Sequence, residues 1–191
     1  MVSVSGLSPE DIGRLAELQV QVLPESAISK LGRRYVRSFY RYAQHSALEL
    51  VLVDRNEGGV IIAGCVVSLD VGSLERRLAL HTTLVLEASL RPAWLWSAVR
   101  NLGGAGAPHA VELVFLFTDA RHRERGSATR LMAQVEAELR LRDISGYAVR
   151  TFEDSTNPAL AYYLARGLKM TGTIKAHGSS FCVLKKQLAP E

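Results

Sequence analysis

The stretch that most limits what this chain can become runs from Val111 to Leu141. Val111-Glu-Leu-Val-Phe-Leu-Phe117 is apolar almost throughout, with the length of a strand and flanks that break a helix. Its near-continuous apolar character predicts a strand buried on both faces. A polar, arginine-rich turn follows and opens directly into Ala128–Leu141, where Leu131, Met132, Val135 and Leu139 share one side of a helix. A strand that passes at once into an amphipathic helix calls for helices layered on a sheet.

The remaining pattern agrees. Val2 and Val4 alternate weakly within residues 2–6, as a first strand does. Ser8-Pro9-Glu10-Asp11 reads as a helix start, with a Ser cap, Pro in the first turn and acids at the positive end of the dipole. That helix is expected to end near Pro24. Over residues 26–44, Ile28, Leu31, Tyr35, Phe39 and Tyr42 follow helical steps of three and four. Lys30, Arg33, Arg34, Arg37 and Arg41 line the opposite side, as a solvated face or as a surface that attracts a phosphorylated ligand. Leu48–Val53 and Val60–Leu69 read as a hairpin joined through Asp54 to Gly59. Residues 73–103 turn helical, with a break at Pro92. Tyr147–Thr151 is a short strand, Pro158–Arg166 a short helix, and Leu168–Ile174 with Ser180–Leu184 a closing hairpin. The fold class is therefore α/β (α+β), one domain with a mixed central sheet flanked by helices. A helical insertion at about 73–103 separates the third strand from the fourth.

Composition narrows the function classes. A chain of 191 residues fits one domain and buries roughly 70% of its unfolded surface. No apolar run approaches the ~20 residues of a membrane span, and no charged-then-apolar leader opens the chain. Cys65 and Cys182 are too few for a zinc cluster and lie in strand-like runs, so they read as reduced thiols of a cytoplasmic protein, with no metal expected. The net charge of +4 favours anionic ligands mildly. Arg121, Arg123, Arg125 and Arg130 lack the interleaved aromatics of a nucleic-acid platform, so no nucleic acid is expected.

Two motifs carry chemistry. Arg123-Glu124-Arg125-Gly126-Ser127-Ala128 lies at a helix N-terminus, whose first N–H groups have no intrahelical acceptor and form an anion site. Gly126 and Ala128 leave room for a bulky phosphate. In Asn157 to Leu168, Asn157 caps a helix, Pro158 fits its first position and Gly167 fits the left-handed position after its end. Tyr162 and Tyr163 on that helix bring phenols able to hand a proton to a leaving thiolate; a tyrosine there also serves as plain core.

In this order, separated by one strand, the two motifs resemble the GNAT superfamily of acyl-CoA-dependent N-acyltransferases. The signature Arg/Gln-x-x-Gly-x-Gly/Ala stands here as Arg123-x-x-Gly126-x-Ala128, and a Tyr four residues before Gly-Phe stands as Tyr163 before Gly167-Leu168. The resemblance covers residues 111–187, and residues 1–70 by element order. It implies a split sheet holding acetyl-CoA between the strands at 111–118 and 147–151. Leu116, Phe117 and Thr118 would meet the pantetheine arm, and the amides of Arg123, Glu124, Arg125, Gly126, Ser127 and Ala128 the pyrophosphate. Asn157 and Tyr163 would lie near the thioester. Three departures stand out. Glu124 replaces the family's usual Gly, Asn157 is one residue closer to Tyr163 than usual, and the helical pair at 73–103 replaces a short turn. That insertion would cover the acceptor pocket or build a homodimer contact, and its Trp94 and Trp96 read as packing residues.

The implied reaction is direct attack of an amine on the thioester, with an N–H of the strand at 116–118 stabilising the oxygen and Tyr163 protonating the thiolate. A lysine-like amine must shed a proton at a cost of about 4.6 kcal/mol at pH 7, whereas an α-amino group needs only about one pKa unit. Glu112 is the first candidate base, followed by Glu153 and Asp154; His81 and His109 are further candidates. The basic stripe favours a small anionic acceptor such as an amino sugar. A peptide or protein N-terminal amine, and a non-catalytic acyl-CoA-binding regulatory module, are the alternatives.

Overall fold

The computed structural model describes residues 2–4, 6–81, 110–123, 126–176 and 179–189. Its strands are β1 (Val2–Val4), β2 (Glu49–Arg55), β3 (Ile61–Ser68), β4 (Glu112–Thr118), β5 (Gly146–Phe152), β6 (Lys169–Ala176) and β7 (Ser179–Gln187). They form one sheet in the order β1-β2-β3-β4-β5-β7-β6, antiparallel at every join except the parallel β4 and β5. Among the described residues the helices are α1 (Pro9–Val22), α2 (Arg33–Ala43), α3 (Val71–Leu80), α4 (Ser127–Arg140) and α5 (Pro158–Ala165). This is the mixed, helix-flanked sheet that the pattern predicts. Only α3, at the start of the expected helical insertion, is described; Pro92, Trp94, Trp96 and His109 lie outside the described residues.

The caps act as the sequence suggests. Ser8 Oγ accepts the Asp11 N–H and Asp11 Oδ2 accepts the Ser8 N–H, each at 3.1 Å, so two orphan donors at the start of α1 are satisfied reciprocally. The helix expected over residues 26–44 is instead cut at Gly32, whose φ of 90° and ψ of 167° belong to a region that essentially only glycine enters. A short 3₁₀ turn, Ser29–Leu31, precedes the cut and α2 follows it. α2 buries Tyr35, Val36, Phe39, Tyr40 and Ala43, and Tyr42 is only half-buried.

Helices cover both faces of the sheet. α1 and α2 pack on one face, against Val51, Val53, Ile61, Val66 and Phe117. α4 and α5 pack on the other, against Leu52, Cys65, Val67, Leu113, Tyr147 and Val149. Both cysteines are buried free thiols, and burial pushes the Cys65 thiol up to about 12, which keeps it an inert core group.

β4 corrects one expectation. Val66 lies opposite Phe115 and Val67 opposite Leu113, so Val114 is an extra residue, a bulge that bends the strand. β5 pairs with β4 only at Glu112 and Leu113, and the two strands then part. Val114, Phe115 and Leu116 are therefore half-buried, where burial on both faces was expected. Their apolar run reflects side chains that flank an opening within the sheet.

Candidate active site

The parting of β4 from β5 sets up the site. The Asp119 N–H donates to the Ile62 carbonyl at 2.8 Å, which turns Asp119 toward β3. Main-chain groups alternate from edge to edge along a strand, so Phe117 also turns toward β3, and Leu116 and Thr118 turn toward the opening. At the paired end the Ala148 N–H still donates to the Val111 carbonyl at 3.0 Å. Leu116 and Thr118 thus present donors and acceptors along a strand edge inside the sheet, suited to an extended, amide-bearing ligand. Phe117, expected beside them, places its ring in the α1–α2 core.

The turn after β4 is braced from two sides. Asp119 is buried and accepts hydrogen bonds from the Arg121 N–H at 3.0 Å, Arg121 Nη2 at 2.8 Å and Arg14 Nη2 at 2.9 Å. The Arg121 guanidinium above all, with Arg14, holds the Asp119 carboxyl well below the usual carboxylate range. Gly126 then adopts a left-handed φ of 75° as the N-cap of α4 and offers no side-chain cap to the first amides. Arg130 ties the first turn to β2, with Nη2 2.6 Å from Asp54 Oδ2 and 3.1 Å from Ser127 Oγ. Burial alone would raise the Asp54 carboxyl, but the hydrogen bonds from Arg130 and Ser127 hold it below its usual value. The N–H groups of Ser127 and Ala128 belong to that open first turn, and Arg123 is exposed beside it. Glu124 and Arg125 lie outside the described residues. Asp54 and Asp119 were not singled out from the sequence, because Arg130 and Arg14 reach them from distant segments.

Tyr163 and Glu112 stand on opposite faces of the sheet. Tyr163 projects from α5 into the α4-side core and is 6% exposed. Burial raises its phenol well above the usual value, with Tyr162 and Cys65 adding to the effect, so it stays protonated near neutrality. Asn157 caps α5, its Oδ1 accepting the Ala159 N–H at 3.0 Å. Its Nδ2 donates to Thr151 Oγ1 at 2.8 Å and the Phe152 carbonyl at 2.9 Å. The Asn157 amide is thus occupied in holding α5 to the end of β5.

On the α1–α2 face, Glu112 is 2% exposed and its Oε1 accepts from Arg150 Nε at 2.6 Å. Its Oε2 is buried without a hydrogen-bond partner. Burial raises its carboxyl and the Arg150 charge opposes the rise. Register puts Glu112 opposite Ser68 and Ser68 opposite Glu49, one row across three strands. Glu49 repeats the arrangement. Its Oε1 accepts from Arg77 and its Oε2 is buried without a partner. Arg77 also reaches the Tyr42 hydroxyl at 3.2 Å. Glu49 was missed by sequence reasoning, since only strand register aligns it with Glu112. The other described base candidates lie elsewhere. Glu153 and Asp154 are exposed, Asp154 accepting from Thr156 in a local turn, and His81 packs edge-on to Tyr42 at 5.2 Å. An opening with a buried carboxylate on one face and a protonated phenol on the other can take a proton on one side and give one on the other.

Among the described residues no group of three or more His, Cys, Asp or Glu is arranged to hold a metal, and no helix is long and apolar enough to cross a membrane.

Comparison with known proteins adds the following. The sequence model of the acetyltransferase (GNAT) family matches residues 14–168. No curated protein matches the chain significantly by sequence. The structure of aminoglycoside 6′-acetyltransferase type Ii aligns with a TM-score of 0.67 at 14% identity, over 100% of this chain and 99% of that one. Ribosomal-protein-S18-alanine N-acetyltransferase from Escherichia coli aligns at 0.60 and 11%, over 100% and 96%. An N-acetyltransferase from Staphylococcus aureus Mu50 aligns at 0.62 and 11%, over 99% of each chain. At these identities the structural likeness speaks for the fold alone.

Proposed function

This chain belongs to the GNAT acetyltransferase family, and on that premise we propose that it moves an acetyl group from acetyl-CoA to the primary amine of a small anionic acceptor, an amino sugar or similar. Family membership makes it an acyl-CoA-dependent acyltransferase. The observation that carries the reading is the parting of β4 from β5 after Leu113. The residues present fit the co-substrate. Leu116 and Thr118 offer main-chain partners for its pantetheine amides, and the uncapped first turn of α4, held open by Gly126, suits its pyrophosphate. Bound acetyl-CoA supplies the thioester that the amine attacks.

The chain's own groups divide the remaining work. A main-chain N–H of Leu116 or Thr118 donates to the carbonyl oxygen as charge builds on it. Glu112 takes the amine's proton at its unpartnered Oε2, directly or through water. Arg150 orients that carboxylate, and its charge opposes the rise that burial imposes on it. Tyr163 holds the proton destined for the thiolate at its phenol oxygen. Because the two residues lie on opposite faces, the amine arrives from the α1–α2 side and the thiol leaves on the α4–α5 side. The net charge of +4 and the arginines of α2 support an anionic acceptor.

The test is thiol release from acetyl-CoA over a panel of amino sugars, with and without phosphate, and peptides with free N-termini. Turnover of amino sugars above peptides supports the reading. A preference for peptides would replace it with N-terminal acetylation.

A further inference from the structure

Around the sheet, arginines are paired with carboxylates. Arg14 and Arg121 meet Asp119, Arg55 meets Asp11, Arg77 meets Glu49, Arg130 meets Asp54 and Arg150 meets Glu112. Arg166, the residue that closes α5, differs. It is half-buried, and among the described residues it meets no carboxylate. Its guanidinium lies 4.5 Å over the Tyr162 ring and donates to Thr129 Oγ1 on α4, while its Nε is buried without a hydrogen-bond partner. A cation so placed has given up water around Nε and gained a hydroxyl and a ring face, with no counter-charge. An arginine at a helix end commonly serves the last carbonyls, which the dipole makes negative. This one reaches across to the neighbouring helix.

The place it reaches is the proposed phosphate end of the site. Thr129 is the third residue of α4, so the guanidinium stands at the uncapped first turn whose Ser127 and Ala128 amides suit a pyrophosphate. Arg130 is also bonded to that turn, but its charge meets Asp54. A helix N-terminus supplies roughly half a positive charge, whereas a phosphate monoester alone carries about −1.5 to −2. A full charge without a carboxylate beside the turn makes up part of that difference.

The side chain also lies in line with the thioester end. Arg166 follows Tyr163 by three residues, about one turn along α5. Tyr162 links the two, its ring edge-on to Tyr163 with centroids 5.5 Å apart and its face under the guanidinium. A co-substrate with its thioester at Tyr163 and its phosphates at the first turn of α4 has Arg166 at its phosphate end.

We propose that Arg166 is a phosphate ligand of the co-substrate, its Nη groups donating to a phosphate oxygen of CoA at the pyrophosphate or at the 3′-phosphate. This deepens the acetyl-transfer reading and rests on it. Tyr162 and Thr129 hold the guanidinium in place before the ligand arrives, and its planar fork matches phosphate oxygens.

The experiment is calorimetric titration of CoA, and of dephospho-CoA, which lacks the 3′-phosphate, into the unaltered protein and an Arg166→Gln variant whose fold is checked by circular dichroism. Affinity for CoA should fall about tenfold or more in the variant, the scale of one lost charge-assisted hydrogen bond. A matching fall for dephospho-CoA puts the contact at the pyrophosphate, and a fall confined to CoA puts it at the 3′-phosphate. Equal affinity of the two proteins for CoA overturns the proposal. The loss should also shrink at about 1 M salt, where a charge contact on a half-exposed group is screened. A loss of constant size would leave Arg166 only a brace on Thr129 and overturn the proposal too. Arg166→Lys keeps the charge and should bind CoA more tightly than the Gln variant; a Lys variant as weak as Gln counts against the proposal in the same way. If the unaltered protein binds neither ligand, the acetyl-transfer reading falls and Arg166's role with it. If it binds both and the Gln variant binds them equally well, only Arg166's role falls.

Discussion

Replacing Tyr163 by Phe separates a catalyst from a core residue. The ring is buried between α5 and the sheet, with the residue 6% exposed. Removing the hydroxyl leaves the ring's packing in place. With the packing kept, the Phe variant should match the parent's stability to within about 1 kcal/mol. For a chain of this size each kcal/mol moves Tm by about 2–4 °C, so Tm should hold within about that range. Catalysis should respond far more strongly. A thiol pKa near ~8.5 makes the departing thiolate only a moderately poor leaving group, and the raised pKa of the buried phenol weakens its drive to donate. We expect kcat to fall roughly 10- to 10³-fold, or about 1.4–4.1 kcal/mol of barrier, with KM for acetyl-CoA little changed. Thiol release at saturating substrates and a thermal melt are the two assays. A variant with unchanged kcat, or one that loses activity only in step with a lowered Tm, would return Tyr163 to the core and remove it from the mechanism.

Two further substitutions test separate parts of the account. Glu112→Gln keeps the side chain's size and should lower kcat/KM by about 10²- to 10⁴-fold. Because burial raises the Glu112 carboxyl and a base acts only when ionised, the parent's activity should fall as pH drops through that raised value. The Gln variant should lack that acid limb, and a pH–rate profile with the limb intact would assign it to another group. Asp119→Asn removes a carboxylate that Arg121 and Arg14 hold below the usual range, and should cost about 1.5–3 kcal/mol at pH 7 in a denaturant melt. A depressed pKa stabilises above the unfolded value near 4 and is lost below it, so the deficit should shrink under acid conditions. A deficit of constant size from pH 7 to pH 3 would show that ionisation is not its source.

How much of this was legible in the sequence depends on whether the information was local. Ser8, Asn157 and Gly126 act within a few residues of themselves, and each helix boundary that they mark was readable from spacing and turn chemistry. The turn from β4 into α4 was readable for the same reason. Gly32 shows the limit of that approach. Its neighbours keep a helical period, and only its φ reveals that the chain bends there. The parting of β4 from β5 is a matter of register between segments over thirty residues apart, and so is the Val114 bulge. The apolar run that accompanies them reads equally well as a fully buried strand. Glu112 was visible as a candidate, but its Arg150 partner and its alignment with Ser68 and Glu49 come from strands that sequence spacing cannot align. Asp54 and Asp119 looked like ordinary loop and hairpin acids until the fold brought Arg130 and Arg14 to them.

The account rests on the opening between β4 and β5 being where acetyl-CoA lies. Residue-resolved amide hydrogen exchange by NMR tests this most directly, with and without acetyl-CoA. In the free protein the amides of Phe115 and Phe117, turned toward β3, should be protected, and those of Leu116 and Thr118 should exchange quickly. Addition of acetyl-CoA should protect Leu116 and Thr118 together with Ser127 and Ala128 at the start of α4. Binding that leaves the exchange of Leu116 and Thr118 unchanged would place the co-substrate elsewhere and contradict the account at its centre.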